Sequence, residues 1–241
     1  MNTTKIKIIA CISMLIDHAT YLFVPAESAD SAFGDNPWYL LGRALGRPSF
    51  ILFAFLLVEA FFNTEDRKKY IIRLLGLAVV AEPVFDFMCG NLNINHFLDH
   101  QNVVFQFLIG IGTLCMLEAV RLKYFLSNRI YYNIFSVAVC ITGFAASYYL
   151  KVDYGVVGLA LILIFYFLRG MKKSALVAMV IVWSLGCIYM EHMLEWAGLP
   201  ALILICKYNG ERGKNLKWFF YIFYPGHMLI LALIKLAVFG I

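Results

Sequence analysis

The stretch KIKIIACISMLIDHATYLFV, residues 5–24, is apolar over the length of a membrane-spanning helix, yet it contains an acidic residue next to a histidine. About 20 mostly apolar residues are needed to cross the hydrocarbon core of a bilayer, and this stretch meets that length. Ionisable side chains inside a span are costly and usually mark a functional site. Asp17 and His18 are therefore the first candidates for chemistry.

The whole chain has the composition of an integral membrane protein. Of its 241 residues, 62% are hydrophobic and 15% are charged, and the mean hydropathy is +0.79. Soluble domains are about 45–50% apolar and about 25% charged, so the composition excludes that class. The net charge of +5 is not gathered on a basic face with interleaved aromatic residues, which argues against nucleic-acid binding. We predict a single all-α transmembrane domain over residues 1–241, in the plasma membrane of a bacterium.

Nine apolar segments are predicted to cross the membrane. They are 5–24, 47–62, 70–88, 102–120, 131–150, 155–169, 174–191, 197–206 and 218–238. Segment 197–206 is short and contains Pro200, which leaves a re-entrant element as the alternative. Counting it as a crossing places the N-terminus in the cytoplasm and the C-terminus outside. Of the 20 Lys and Arg residues, all but four then lie on the cytoplasmic side, as the positive-inside rule requires. The four exceptions are Arg43, Arg47, Lys151 and Lys235.

Polar side chains from several predicted helices gather near the outer side, at the depth of His18. Since His18 lies roughly 20 Å along the first helix at 1.5 Å per residue, it falls in the outer third of the membrane. Their convergence predicts an outward-facing polar pocket that binds the substrate. Its predicted residues are Arg43, Arg47, Glu82, Asp86, Asn102, Asp153 and Tyr154. An ion pair of Arg47 with Glu82 or Asp86 is a structural alternative that stays open.

His18 and Asp17 are expected to have different neighbours, because adjacent residues of a helix point about 100° apart. Asp17 is therefore expected to pair with an arginine of another helix instead of orienting the imidazole. A neutral imidazole near pH 7 can take up a proton or attack a thioester. His18 is thus predicted to be a general base or a transient acyl carrier, and both roles stay open.

No metal site and no disulfide framework are predicted. His96 and His100 have the spacing of two ligands on a helix, but no third ligand follows the pattern. The six cysteines are scattered, mostly within predicted helices, and include no Cys-x-x-Cys pair.

A residue spacing and a series of sequence blocks each resemble those of a known family. Lys7 and His18 are eleven positions apart, about three helical turns, so they lie on one face. A basic residue at this distance before a histidine resembles the Arg/Lys-x10-His signature of integral-membrane acyltransferases. The chain more widely resembles the TraX family, which is named for a protein associated with N-terminal acetylation of conjugative pilin. The similar blocks, in family order, are KIKIIACISMLIDH, GRPSFILFAFLLVEAFFNT, KYIIRL, AEPVFD, DYGVVG, KYNGERG and FYIFYPGH.

The resemblance implies an enzyme that moves an acetyl group from cytoplasmic acetyl-CoA to an acceptor outside the cytoplasm. The acceptor atom would be an amine or hydroxyl of a glycan or of a protein N-terminus, with His18 and Asp17 as catalytic residues and no metal. The basic, glycine-flanked loop 208–214 could hold the phosphates of coenzyme A, although an ordinary positive-inside loop is the alternative. The residues expected to hold the donor are Lys7, Asn209, Arg212, Tyr221, Tyr224 and His227.

Two other functional classes stay open. A proton-coupled secondary transporter would also use intramembrane Asp, Glu and His, although such transporters usually contain repeats and bind substrate near the midplane. A non-enzymatic membrane assembly factor would account for the helices but not for the buried charges. A homodimer is compatible with the sequence.

Overall fold

The computed structural model describes residues 1–25, 36–89, 100–190, 193–214 and 216–239. Within these ranges the chain is helical, and the sole strand-like feature is an isolated bridge between Gln101 and Val152. This confirms the predicted all-α class. The helices are α1 Thr3–Phe23, α2 Pro37–Gly46, α3 Pro48–Asn63, α4 Arg67–Cys89, α5 Val103–Tyr124, α6 Arg129–Tyr149, α7 Gly155–Phe167, α8 Lys172–Tyr189, a 3-10 helix Met193–Gly198, α9 Ala201–Cys206 and α10 Lys217–Phe239.

Helix α2 is the element that the apolar runs did not predict, since the second span was expected to begin at residue 47. The side chain of Asn36 accepts a hydrogen bond from the backbone N–H of Trp38 at 3.0 Å, and Pro37 occupies the first turn. An Asn cap followed by proline is a strong helix start. Hydropathy did not predict this helix because it is too short to span by itself and because Gly42 and Arg43 interrupt its apolar sequence.

The described helices are those of a membrane protein. Five of them are long and apolar enough to cross a bilayer, with Pro37–Asn63 counted as one. Shorter apolar helices cover Gly155–Phe167, Lys173–Tyr189 and Met193–Cys206. The number of crossings therefore stays a prediction.

Two contacts show that α1 and α10 run in the same direction. The Lys7 ammonium lies over the Phe220 ring, 5.1 Å from its centroid, and His18 contacts His227 further along both helices. An odd number of crossings, such as the predicted nine, would produce this parallel arrangement.

The predicted topology can be tested with two introduced cysteines in a chain without native cysteines. We expect His100→Cys to react with a membrane-impermeant maleimide added outside intact cells, and Glu211→Cys to react only after the membrane is opened. Both positions are exposed in the structure, so the bilayer alone should decide their reactivity. Labelling of Glu211→Cys in intact cells would contradict the predicted orientation.

Helix α1 holds the candidate catalytic residues and packs against α2, α3 and α10. Its approach to α2 depends on two glycines. A Cβ at Gly42 would lie 2.1 Å from Thr20 Oγ1, and one at Gly46 would lie 2.3 Å from the Asp17 side chain. The Ser13 hydroxyl donates to the carbonyls of Leu45 and Gly46, and these hydrogen bonds hold the C-terminal end of α2 against α1. The close approach places the arginines of α2 beside Asp17.

Candidate active site

A cavity of about 220 Å³ lies between the C-terminal half of α1, the junction of α2 and α3, and the turn before α7. Apolar residues such as Phe50, Phe53 and Phe107 form one part of its wall. The polar lining residues are Asp17, His18, Tyr21, Arg43, Arg47, Ser49, Asp153, Tyr154 and Tyr224. Most of them are residues that the sequence analysis assigned to catalysis or binding, so the structure brings these predicted positions together.

Asp17 binds both arginines of the cavity. Its two carboxylate oxygens accept hydrogen bonds from Arg43 Nη1 at 2.7 Å and from Arg47 Nη2 at 2.9 Å. The predicted pairing of Asp17 with an arginine from another helix is thereby confirmed. The guanidinium of Arg47 also donates to the Glu195 carboxylate. Two guanidiniums and two carboxylates therefore form one charge-balanced cluster, in which Arg47 and Glu195 are buried and Asp17 and Arg43 are partly buried.

Glu195 is a member of this cluster that sequence reasoning missed. It lies in the 3-10 helix Met193–Gly198, in the connection between the predicted spans 174–191 and 197–206, where no site residue was expected. The indole N–H of Trp183 donates to the backbone carbonyl of Glu195 at 2.6 Å, which anchors the 3-10 helix on α8. A carboxylate in an apolar segment was the available signal, because such a group almost always needs a cationic partner.

His18 is hydrogen-bonded to the histidine of the last helix. Its Nδ1 lies 2.8 Å from Nε2 of His227, and the two rings are nearly coplanar, with an angle of 9° between their planes. The Nδ1 atom of His227 lies 2.7 Å from the backbone carbonyl oxygen of Phe223. His227 therefore contacts His18 directly but is not among the described residues that line the cavity.

Asp153 and Tyr154 reach the cavity through a tight connection between α6 and α7. The N–H of Asp153 donates to the carbonyl of Gln101 at 3.1 Å, and the N–H of Gln101 donates to the carbonyl of Lys151 at 3.2 Å. Tyr154 has a φ of +60°, a left-handed conformation that is uncommon for a residue other than glycine. Its ring stacks on that of Phe50, with 3.8 Å between the ring centroids. Burial in this connection raises the pKa of the Asp153 carboxyl to about 6.

Three of the predicted substrate-binding residues are placed elsewhere. Asn102 caps α5, and its Nδ2 and backbone N–H both donate to the Glu82 carboxylate. Glu82 and Asn102 therefore join α4 to α5, while Asp86 is buried on α4; none of the three is in the cavity wall as described. Arg47 forms its ion pairs with Asp17 and Glu195, in place of the alternative pairing with Glu82 or Asp86.

The residues predicted to hold the donor are spread along α1, α10 and the loop before α10. Lys7 is near the start of α1, about 16 Å along the helix from His18 at 1.5 Å per residue. Tyr224 is in the cavity wall, whereas Tyr221, one turn earlier, is not among its described lining residues.

The loop that contains Asn209 and Arg212 is packed on the N-terminus of α1. The N–H of Asn209 donates to the carbonyl of Met1 at 2.9 Å, and the Thr4 hydroxyl donates to the carbonyl of Arg212 at 3.0 Å. The Arg212 side chain donates to the carbonyl of Asn63. These bonds give the loop a structural role, and its binding of coenzyme A stays a prediction.

The described residues contain no group of three or more His, Cys, Asp or Glu side chains that could hold a metal ion. His100 is exposed at the end of its loop, and His96 lies outside the described residues.

Comparison with known proteins agrees with the sequence blocks. A probable fimbrial assembly protein FimC, serogroup H1, from Dichelobacter nodosus is 27% identical over 253 aligned positions, which cover 96% of this chain and 95% of that protein. No solved structure matches the chain. The model of the family described as TraX protein matches residues 2–235, nearly the whole length. The chain therefore belongs to the TraX family.

Proposed function

We propose that this protein is a membrane acetyltransferase that moves an acetyl group from cytoplasmic acetyl-CoA to an amine or hydroxyl of an extracytoplasmic acceptor. The observation that carries the proposal is the shared cavity of one imidazole and two guanidiniums, those of His18, Arg43 and Arg47. A base or nucleophile beside fixed cations is what acyl transfer requires, because negative charge develops on the carbonyl oxygen as the acceptor attacks.

As a general base, His18 would take the proton of the acceptor amine or hydroxyl while the acceptor atom bonds to the acetyl carbonyl carbon. The carbon–sulfur bond then breaks, and His18 returns the proton to the departing thiolate of coenzyme A. As an acyl carrier, an unprotonated nitrogen of His18 would itself bond to the carbonyl carbon while the carbon–sulfur bond breaks and coenzyme A leaves as the thiolate. In a second step the acceptor atom would displace the acetyl group from that nitrogen, and the proton that the acceptor loses would neutralise the thiolate.

The two arginines are suited to stabilise the oxyanion of either route. Asp17 binds both guanidiniums and Glu195 binds Arg47, so their positions are fixed before any substrate enters. Such preorganised donors lower the barrier because they need no reorganisation when charge develops. Asp17 would therefore act through the arginines, without touching the reacting atoms.

The cavity is large enough for the reactive end of the donor only. Its volume of about 220 Å³ is below the range of about 300–1,000 Å³ that encloses a drug-sized ligand. The nucleotide of acetyl-CoA would therefore remain near the cytoplasmic end, where Lys7, Asn209 and Arg212 supply positive charge and hydrogen-bond donors. Tyr221 and Tyr224 lie between that end and His18 and would line the route of the thioester.

The name of a similar protein supports a setting for the reaction. Because the similar protein of Dichelobacter nodosus is named for fimbrial assembly, we propose that the acceptor is a glycan or a protein N-terminus in a fimbrial system. The protein would then work in the plasma membrane of a bacterium, with the donor and the acceptor on opposite sides.

Proteoliposomes that contain the purified protein and acetyl-CoA labelled in its acetyl group test the proposal. We expect slow release of coenzyme A thiol, and a faster release with transfer of label when an amine or hydroxyl acceptor is present. Protein-free liposomes are the control for spontaneous hydrolysis. Absence of acetyl-CoA binding and of thiol release above that control would contradict the proposed activity.

A further inference from the structure

We propose that His227 is a positioning residue for His18. It holds the His18 imidazole with its proton on Nδ1, and thereby makes Nε2 the nitrogen that takes a proton or carries the acetyl group. The part assigned to Nε2 rests on the proposed function. The proton position itself does not, since it can be measured without turnover.

The argument begins at the backbone of α10. The Nδ1 atom of His227 lies 2.7 Å from the carbonyl oxygen of Phe223, its neighbour one helical turn earlier. A carbonyl oxygen only accepts hydrogen bonds, so Nδ1 of His227 must carry a proton. A neutral imidazole has a single N–H, and Nε2 of His227 is therefore left as an acceptor.

The second step transfers this constraint to His18. A distance of 2.8 Å between His18 Nδ1 and His227 Nε2 requires one proton between the two atoms. Because Nε2 of His227 is the acceptor, Nδ1 of His18 is the donor. With its single proton used in this bond, neutral His18 has an unprotonated Nε2.

The neighbouring charges favour neutral rings. The carboxylates of Asp17 and Glu195 are bound to Arg43 and Arg47, and within the described residues no hydrogen bond joins these carboxylates or that of Asp153 to either imidazole. Within the described part of the chain, Nε2 of His18 has no hydrogen-bond partner of its own, and His18 lines the cavity. The unprotonated nitrogen is therefore free for a substrate.

The hydrogen bond also gives a path for charge during the reaction. When Nε2 of His18 gains a proton or an acetyl group, the ring becomes positively charged and its Nδ1 proton can move to Nε2 of His227. The Nδ1 proton of His227 stays on that nitrogen, hydrogen-bonded to the Phe223 carbonyl, so the pair of histidines gains one positive charge in total. This resembles the orienting part played by the aspartate of a catalytic triad, where the wrong tautomer removes most of the activity.

The proton positions can be read directly from ¹⁵N-labelled histidine in the full chain embedded in lipid nanodiscs. Long-range ¹H–¹⁵N correlation spectra distinguish the two neutral tautomers, and His18→Gln identifies the His18 signals by difference. We expect His18 to carry its proton on Nδ1 in the unmodified protein. A proton on Nε2 of His18 would overturn the inference, whatever the protein does with acetyl-CoA.

Two variants test the consequence for turnover. His227→Gln retains an amide oxygen able to accept from His18 Nδ1, whereas His227→Met has a similar length and no such acceptor. We expect kcat to fall by about 10²-fold or more in the methionine variant, with KM for acetyl-CoA changed only a few-fold and with His18 signals shifted towards the Nε2 proton. The glutamine variant should recover most of kcat. Equal losses in both folded variants, with an unchanged His18 tautomer, would contradict the positioning role.

Discussion

Replacing His18 with alanine is expected to lower the rate of acetyl transfer by about 10²- to 10⁴-fold, the contribution of a positioned acid–base group. The protein should remain folded, because the side chain borders a polar cavity and its removal costs little packing. Binding of acetyl-CoA should change only a few-fold, since the nucleotide is expected near Lys7, about 16 Å away along α1. Label transfer and donor binding, measured on one preparation, separate these effects.

His100→Ala is the matched control, because it removes a histidine that is exposed and distant in sequence from the cavity residues of α1. It should transfer acetyl groups at the rate of the unmodified protein. A folded His18→Ala protein with a near-normal rate would refute the mechanism. If His227→Ala alone abolished turnover while His18→Ala did not, the roles of the two histidines would have to be exchanged.

Most of the fold could be predicted because lipid imposes a simple length rule on apolar sequence. The segments 102–120 and 218–238 correspond to α5 Val103–Tyr124 and α10 Lys217–Phe239. The rule gives no information about α2 Pro37–Gly46, which is too short to span by itself and which carries Arg43 to Asp17. Helix starts depend on local capping, and the Asn-Pro pair before this helix was the signal that hydropathy ignores.

It was easier to predict which residues belong to the site than to predict which of them contact one another. Buried charges in spans are rare enough to be recognised one by one, which is why Asp17, His18 and Arg47 were identified. Their partners are set by tertiary packing: His227 is 209 positions from His18, and Glu195 is 148 positions from Arg47. Helical spacing relates residues within one helix only, so neither contact follows from it.

Asp17→Asn is expected to destabilise the protein by roughly 1–3 kcal/mol, because removing the carboxylate of a part-buried ion pair leaves the charge of Arg43 and part of that of Arg47 uncompensated. The change keeps the size of the side chain but removes the negative charge that Arg43 and Arg47 share. Turnover should also fall, since the arginines lose their fixed positions. Unfolding by SDS titration in mixed micelles, followed by circular dichroism, gives the difference in free energy.

The contribution of Asp17 through the arginines is isolated by a double-mutant cycle with Arg43→Gln. That change should cost less in the Asp17→Asn protein than in the unmodified one, by about 0.5–3 kcal/mol, because Arg43 has already lost its carboxylate partner. Asp66→Asn is the control: it removes an exposed carboxylate that pairs with Lys69 at 3.0 Å, and it should leave the unfolding midpoint unchanged. Normal stability of Asp17→Asn together with lost turnover would instead return Asp17 to the direct catalytic role that the sequence first indicated. A carboxylate that holds two cations and one that takes part in the chemistry are thus separated by stability alone.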